Sequence, residues 1–131
     1  METLPTSQVR VVAAVVTRGA TTLVCRRPFE KRHGGLWEFP GGKCEARESD
    51  LEAVTRELFE ELGVRVLSIG EALFSIADPD SPFLIVFLPV DFSGEPNCHE
   101  HTAILWAPLD EIANLSLAPS DRKFVDFKAG R

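Results

Sequence analysis

Basic residues are in short supply: 14 Lys and Arg stand against 20 Asp and Glu, a net charge of −6. Tight binding to a nucleic-acid backbone relies on many Lys and Arg contacts to phosphate, so polymeric nucleic acid is excluded as a partner. A small phosphorylated ligand remains compatible if cations offset the repulsion between its phosphates and an acidic site. Cysteine is also scarce. Cys25, Cys44 and Cys98 are odd in number and lack a close-paired spacing, which fits free thiols in a reducing compartment and excludes a disulfide framework. Long hydrophobic runs are missing: Val11 to Val16 and Phe83 to Leu88 fall far short of the roughly 20 residues of a membrane helix. Met1 to Gln8 is polar, with no apolar block behind a positive cap, so no secretory signal is read there. A cytoplasmic protein without a membrane partner is expected. Internal repeats, linkers and low-complexity segments are likewise absent, and residues 1–131 are expected to form one domain, as a monomer or homodimer.

The composition that remains, 44% hydrophobic and 26% charged, is that of a globular chain. Val9 to Thr17 and Thr21 to Cys25 are β-branched and apolar around Arg18-Gly19-Ala20, a hairpin pattern. Arg26 to Gly35 is basic and ends in two glycines, which marks a loop, and Leu36 to Phe39 reads as a short strand stopped by Pro40-Gly41-Gly42. The clearest helix follows Glu48: Ser49 caps it, Glu52 completes a capping box, Leu51, Val54, Leu58 and Leu62 form one stripe, and Gly63 ends it. Val64 to Ala77, Phe83 to Val90 and Thr102 to Ala107 read as strands, with Asp78 to Pro82 as a turn. Leu109 to Ala113 and Ser120 to Lys128 read as a short and a closing helix. Strands on both sides of the first long helix imply a layered α/β arrangement on a mixed sheet.

The chemistry-bearing feature is the end of that first helix. In Arg56-Glu57-Leu58-Phe59-Glu60-Glu61, offsets of three and four put Glu57, Glu60 and Glu61 on one face, beside the apolar stripe. A solvated acidic face is the plain alternative. Against it, Glu57 and Glu61 repel at i and i+4, by roughly 0.2 to 0.5 kcal/mol in isolated helices, and Glu60 and Glu61 lie where the helix dipole is negative. A divalent cation turns that repulsion into binding energy, and carboxylates unaccompanied by imidazole or thiolate favour Mg²⁺ or Mn²⁺. Gly41-Gly42 ahead of the helix allows a ligand close to the backbone, although a plain turn explains it nearly as well.

Taken together, Gly42, Glu48, Arg56-Glu57-Leu58, Glu60-Glu61 and Gly63-Val64 fill every fixed position of the Nudix box. Leu36 to Lys43 resembles the MutT branch, and Leu117 to Asp121 a late segment of its MutT-like and CTP pyrophosphohydrolase-like members. The resemblance implies an α/β/α sandwich that hydrolyses a nucleoside diphosphate linked to another group. In that family pattern Glu57, Glu60, Glu61 and the carbonyl of Gly41 bind Mg²⁺, and Glu100, six residues before Trp106, joins them from a loop. Arg56 orients the carboxylates, Glu48 ties loop to helix, and Gly42 and Gly63 are structural. MutT-like relatives release a monophosphate and pyrophosphate. Glu57 or Glu100 takes the proton of the attacking water, with Glu57 slightly preferred, and Lys43, Arg26 and Arg27 are phosphate-holding candidates or else solvated surface.

Several constellations stay open. Cys98-His99-Glu100-His101 has four potential ligands, but no second Cys/His pair stands where it could close a zinc tetrahedron, and the histidines read as loop residues beside the metal site. Asp78 and Asp80 are broken as a calcium loop by Pro79 and Pro82. Among Phe39, Phe83, Phe87 and Trp106, core packing is the common reading, with Phe39 singled out as a base-stacking candidate. Asp121 stands where MutT carries an asparagine. Ionised, it only accepts hydrogen bonds and favours bases presenting amino or imino donors, whereas its alternative role is to cap the closing helix. The rival functions are hydrolysis of another conjugate, such as ADP-ribose or a dinucleoside polyphosphate, and non-catalytic nucleotide sensing.

Overall fold

The computed structural model describes residues 8–130, so the segment read for a secretory signal lies, apart from Gln8, outside the described residues. Among them, β1 (Val9–Val15), β2 (Thr17–Arg18), β3 (Thr21–Arg26), β4 (Trp37–Glu38) and β5 (Gly41–Lys43) precede the helix α1 (Asp50–Leu62). After it come β6 (Arg65–Ile69), β7 (Phe74–Ala77), β8 (Phe83–Ser93), β9 (Ala103–Ala107), α2 (Leu109–Ile112) and α3 (Pro119–Lys128). One sheet runs β5-β1-β8-β6 with β7 also on β8; the other runs β2-β3-β4 with β9 on β3. Among the strand pairs of the described residues only β1 and β8 run parallel, at the middle of the first sheet, and an isolated parallel bridge joins Trp37 to Leu117.

Side-chain alternation explains the layers. In β1, Val12 and Ala14 join a core with Val54, Leu58 and Leu62 of α1, while Ala13 and Val15 join a second core with Phe124 and Val125 of α3. In β8, Val86, Leu88 and Val90 face the first core and Phe87 the second. Both faces of the parallel pair are therefore covered, which is why these strands are nearly continuous hydrophobic runs. The result is an α/β/α sandwich in which the first sheet is mixed and the second antiparallel.

Five local readings are revised. The hairpin read over Val9 to Cys25 is confined to β2 and β3, because β1 pairs with β5 and β8 and not with β3. Val64 to Ala77 is two strands, β6 and β7, that follow one edge of β8 and part between Ile69 and Phe74. The break lies opposite Pro89, which accepts from Gly70 N–H at 2.9 Å but has no N–H to return. Gly41 to Lys43 is a strand because Gly42 pairs with Val12. Leu51 is 45% exposed; periodicity sets a residue's azimuth on a helix, not how far along its axis the helix is covered. The closing helix starts one residue earlier, at Pro119, a position where proline's missing N–H costs nothing. Glu38 pairs in one sheet and Gly41 in the other, so the chain crosses between the sheets at Phe39-Pro40.

Candidate active site

The glutamates sit where α1 meets that crossing. Ser49 accepts from Glu52 N–H at 3.1 Å and the Glu52 side chain accepts from Ser49 N–H at 2.8 Å, so the capping box sets the helix start. At the other end Gly63 adopts φ 72°, and its N–H bonds to the Phe59 carbonyl at 3.0 Å. The remaining terminal carbonyls are met by a distant loop. Asn97 N–H bonds to Leu62 O at 2.9 Å and His99 N–H to Glu61 O at 3.0 Å, while His99 Nδ1 lies 3.2 Å from Glu60 O. A Cβ on Gly63 would stand 2.9 Å from the His99 ring. The helix thus satisfies its open carbonyls with the loop that carries Glu100, and Glu100 lines the same cavity as Glu57, Glu60 and Glu61.

That cavity, of about 500 Å³, is also bordered by Gly41, Glu38, Arg27 and His101. Arg56 organises its rim. Its Nε and Nη2 grip both oxygens of Glu48 at 2.7 and 2.9 Å, Nη2 donates to Lys43 O at 3.0 Å, and Nη1 donates to Glu57 Oε1 at 3.1 Å. The paired guanidinium, with help from Glu45 N–H, holds the Glu48 carboxyl down at about 2. The Glu57 carboxylate lies so close to Gly42 that a Cβ there would displace it, so Gly42 leaves the room in which that carboxylate sits. Burial raises the Glu57 carboxyl, opposed by Arg56 and reinforced by Glu60 and Glu100. Glu61 is only 4% exposed and accepts from Gly41 N–H at 3.4 Å. Burial, then Glu57, Glu38 and Glu100, push its carboxyl up to about 9. Glu60 is the open member, 48% exposed at its side chain, with Arg56 Nη1 3.6 Å away.

A second cavity, of about 420 Å³, adjoins the first, and Arg27, Glu38 and Gly41 line both. Lys43, Phe39, Asp78, Phe83 and Asp121 border its other side. Asp121 Oδ1 accepts from Phe39 N–H at 2.9 Å. Burial, then Glu38, push the Asp121 carboxyl up to about 8. The capping alternative does not hold: Ala118 is the N-cap of α3, without a side-chain cap bond.

Two expectations are corrected. Arg26 borders neither cavity: its guanidinium lies over the Phe29 and Trp37 rings, 5.4 and 5.6 Å from their centroids, and donates to Thr102 Oγ1 at 3.0 Å. Phe39 is a core residue, 4% exposed, whose ring packs edge-on against Phe87 and Phe124 at 5.9 and 5.3 Å. Little of that ring remains for stacking a base. Arg27, in contrast, faces both cavities and donates through Nη1 to both oxygens of Glu38 at 3.1 and 3.2 Å. Lys43 Nζ stands 5.0 Å from the Phe83 ring centroid. Glu38 itself escapes a reading by motif. Its one local sign is a carboxylate inside the otherwise apolar segment Leu36 to Phe39.

Among the described residues, no three His, Cys, Asp or Glu side chains are already drawn together as a metal-holding group. Arg56 holds Glu57, and Gly41 N–H holds Glu61. The donor set still fits a hard divalent ion. It is all oxygen, its like charges raise Glu57 and Glu61, and Gly42 leaves no side chain between the glycine strand and the helix. The same comparison disfavours zinc, since Cys98 is exposed and His99 is spent on the helix end.

A glutamate-rich helix set against a glycine strand inside an α/β/α sandwich defines a class of protein whose donor set fits a hard cation. The family model described as NUDIX domain matches residues 7–127, and the chain belongs to the Nudix family. It is 39% identical to the CTP pyrophosphohydrolase of Escherichia coli (strain K12), over 94% of this chain and 96% of that one. It is 36% identical to a putative 8-oxo-dGTP diphosphatase 2 of Mycobacterium tuberculosis, over 88% of this chain and 84% of that one. The solution structure of the E. coli ORF135 protein superposes with a TM-score of 0.85 at 35% identity, covering 98% of this chain and 94% of that one. Nudix hydrolases generally use divalent metal ions. No helix of the described residues is long and apolar enough to cross a membrane.

Proposed function

We propose that the chain hydrolyses nucleoside triphosphates with Mg²⁺, or Mn²⁺ in its place, to a nucleoside monophosphate and pyrophosphate, and that modified nucleotides such as 8-oxo-dGTP or modified (d)CTP are its substrate class. The carrying observation is that the two cavities adjoin at Arg27, Glu38 and Gly41, which sets a carboxylate-lined chamber beside a second, largely apolar one of about 420 Å³ that is assigned to the nucleoside. The names of the two relatives, a CTP pyrophosphohydrolase and a putative 8-oxo-dGTP diphosphatase, support the same substrate range.

Glu57, Glu60, Glu61, Glu100 and the Gly41 carbonyl are the groups that would hold the metal. When bound, it lowers the repulsion between phosphate oxygens and an attacking water and stabilises charge on the leaving pyrophosphate. Arg56 keeps Glu57 Oε1 occupied, so Oε2 is the oxygen assigned to take the water's proton. Glu48 keeps Arg56 from drifting, and Arg27 and Lys43 offset phosphate charge from the nucleoside side. Asp121 is the base reader. With its carboxyl pushed up to about 8, it carries a proton at neutral pH and can donate as well as accept, which alters the acceptor-only reading. A neutral acid there suits a base edge presenting both an acceptor and a donor, as cytosine, guanine and 8-oxoguanine do.

The test in Mg²⁺ is pyrophosphate release from CTP, dCTP, 5-methyl-dCTP, dGTP, 8-oxo-dGTP and dTTP, alongside chromatographic detection of the nucleotide products of ADP-ribose and a dinucleoside polyphosphate, whose hydrolysis releases no pyrophosphate. Turnover confined to the last two would transfer the reading to another Nudix conjugate. Nucleotide binding without any turnover would identify a sensing module.

A further inference from the structure

The Cys98-His99-Glu100-His101 run is only half explained by the reading above: His99 closes the helix end and Glu100 lines the cavity, which leaves His101. Its side chain is 4% exposed. Nε2 lies 2.9 Å from Glu38 Oε2, and facing a carboxylate it carries the proton and donates. Nδ1 lies 3.8 Å from Glu61 Oε1 and, among the described residues, is the buried side-chain polar atom without a hydrogen-bond partner. A buried polar atom left open costs stability unless another state of the site satisfies it.

The two carboxylates that His101 touches belong to different halves of the cleft. Glu38 borders both cavities and is gripped on its other side by Arg27, whereas Glu61 is the deepest of the helix glutamates. Arg27, Glu38, His101 and Glu61 thus form a chain from the nucleoside side to the glutamate side. A movement of about 0.8 Å brings Nδ1 and Glu61 within hydrogen-bond range; with Glu61 ionised the proton of that bond lies on Nδ1, so that the ring donates from both nitrogens to the two carboxylates it stands between. We propose that His101 is a positioning residue for the hydrolysis, holding Glu38 through Nε2 and backing Glu61 through Nδ1, so that nucleotide and metal are placed relative to one another. The proposal rests on the metal-dependent reading of the site.

Its two edges can be tested separately. In His101→Gln the amide nitrogen falls near the position of Nε2, and in His101→Asn near that of Nδ1; His101→Ala removes both. Two quantities are measured: Mn²⁺ affinity without nucleotide, from loss of the free-ion EPR signal, and kcat and KM in Mg²⁺. His101→Ala is expected to weaken Mn²⁺ binding and lower kcat/KM each by roughly 10-fold to 100-fold, the usual effect of removing a partner one step behind a metal ligand. His101→Gln should restore KM but not Mn²⁺ affinity, and His101→Asn the reverse. His101→Ala within twofold of the wild type in both quantities would overturn the proposal. So would equal losses in all three variants that follow their Tm, since a purely structural role predicts no split. A wild-type protein that binds Mn²⁺ yet releases no pyrophosphate overturns the functional reading instead.

Discussion

Replacing Glu61 by Gln should make the metal-free protein more stable and the metal-loaded protein less so. The Glu61 carboxyl has an ordinary value of 4.5 and is pushed up to about 9 by burial and by Glu57, Glu38 and Glu100. The folded state therefore binds more protons than the unfolded state between these values. Stability must fall as pH rises through that window, from about 4.5 to about 9. Each pH unit within it costs about 1.36 kcal/mol, so by pH 7 the metal-free wild type has lost about 3 kcal/mol relative to acid conditions. Gln has nearly the same shape, keeps an oxygen for Gly41 N–H, and does not titrate. Its metal-free stability should lose this slope, giving a urea midpoint higher than wild type by roughly 1 to 2 M at pH 7 to 8.

Mg²⁺ should reverse the order. A ligand that binds the folded state alone stabilises it by RT ln(1 + L/Kd), where L is the free ligand concentration, and a neutral amide is a poor Mg²⁺ donor. The assay is urea denaturation from pH 5 to 9, in EDTA and in Mg²⁺, for both proteins. A wild-type midpoint in EDTA that stays level across this range, or a Glu61→Gln protein no more stable than it, would refute the reasoning. Glu60→Gln is the control. Its half-exposed side chain should change metal-free stability by less than about 0.5 kcal/mol, while turnover in both variants falls by about 100-fold or more.

Glu100→Ala should lower kcat by at least about tenfold with little change in Tm, because its loop is anchored through Asn97 and His99; a fully active variant removes Glu100 from the site. Gly63→Ala should destabilise by about 1 to 3 kcal/mol, from φ 72° and the His99 ring 2.9 Å from its Cβ, and should also slow turnover by displacing the Glu100 loop. An unchanged Tm in that variant would show that the contact relaxes freely. With Oδ1 still taken by Phe39 N–H, Asp121→Asn replaces an O–H that donates and accepts by an NH2 that only donates, and should shift the ratios of kcat/KM among CTP, dCTP, 8-oxo-dGTP and dTTP more than their sum; ratios constant within about twofold, under roughly 0.4 kcal/mol, take base reading away from Asp121.

The difference between what was legible in the chain and what was not follows the range of the interactions. Helix α1 reads directly because Ser49, Glu52 and Gly63 act on backbone groups within a few residues of themselves. The spacing of Glu57, Glu60 and Glu61 then follows from helix geometry. Strand alternation places Val12 and Ala13 on opposite faces by the same local logic, which is enough for the sandwich. Glu38 and His101 are 63 residues apart, and Phe39 and Asp121 are 82, so no period or cap connects them. Charge alone makes Arg26 a phosphate candidate, and only the positions of Phe29, Trp37 and Thr102 reveal that its guanidinium is already taken. The break between β6 and β7 likewise depends on Pro89 in the partner strand, not on their own residues. Glu100 is the instructive intermediate. A resemblance can place it beside the helix, but the physical cause is that the open carbonyls of Glu60, Glu61 and Leu62 need partners, and residues 97–99 supply them. The cap that ends the helix and the approach of its fourth carboxylate are therefore one interaction, and a lesion in either should appear in both stability and turnover.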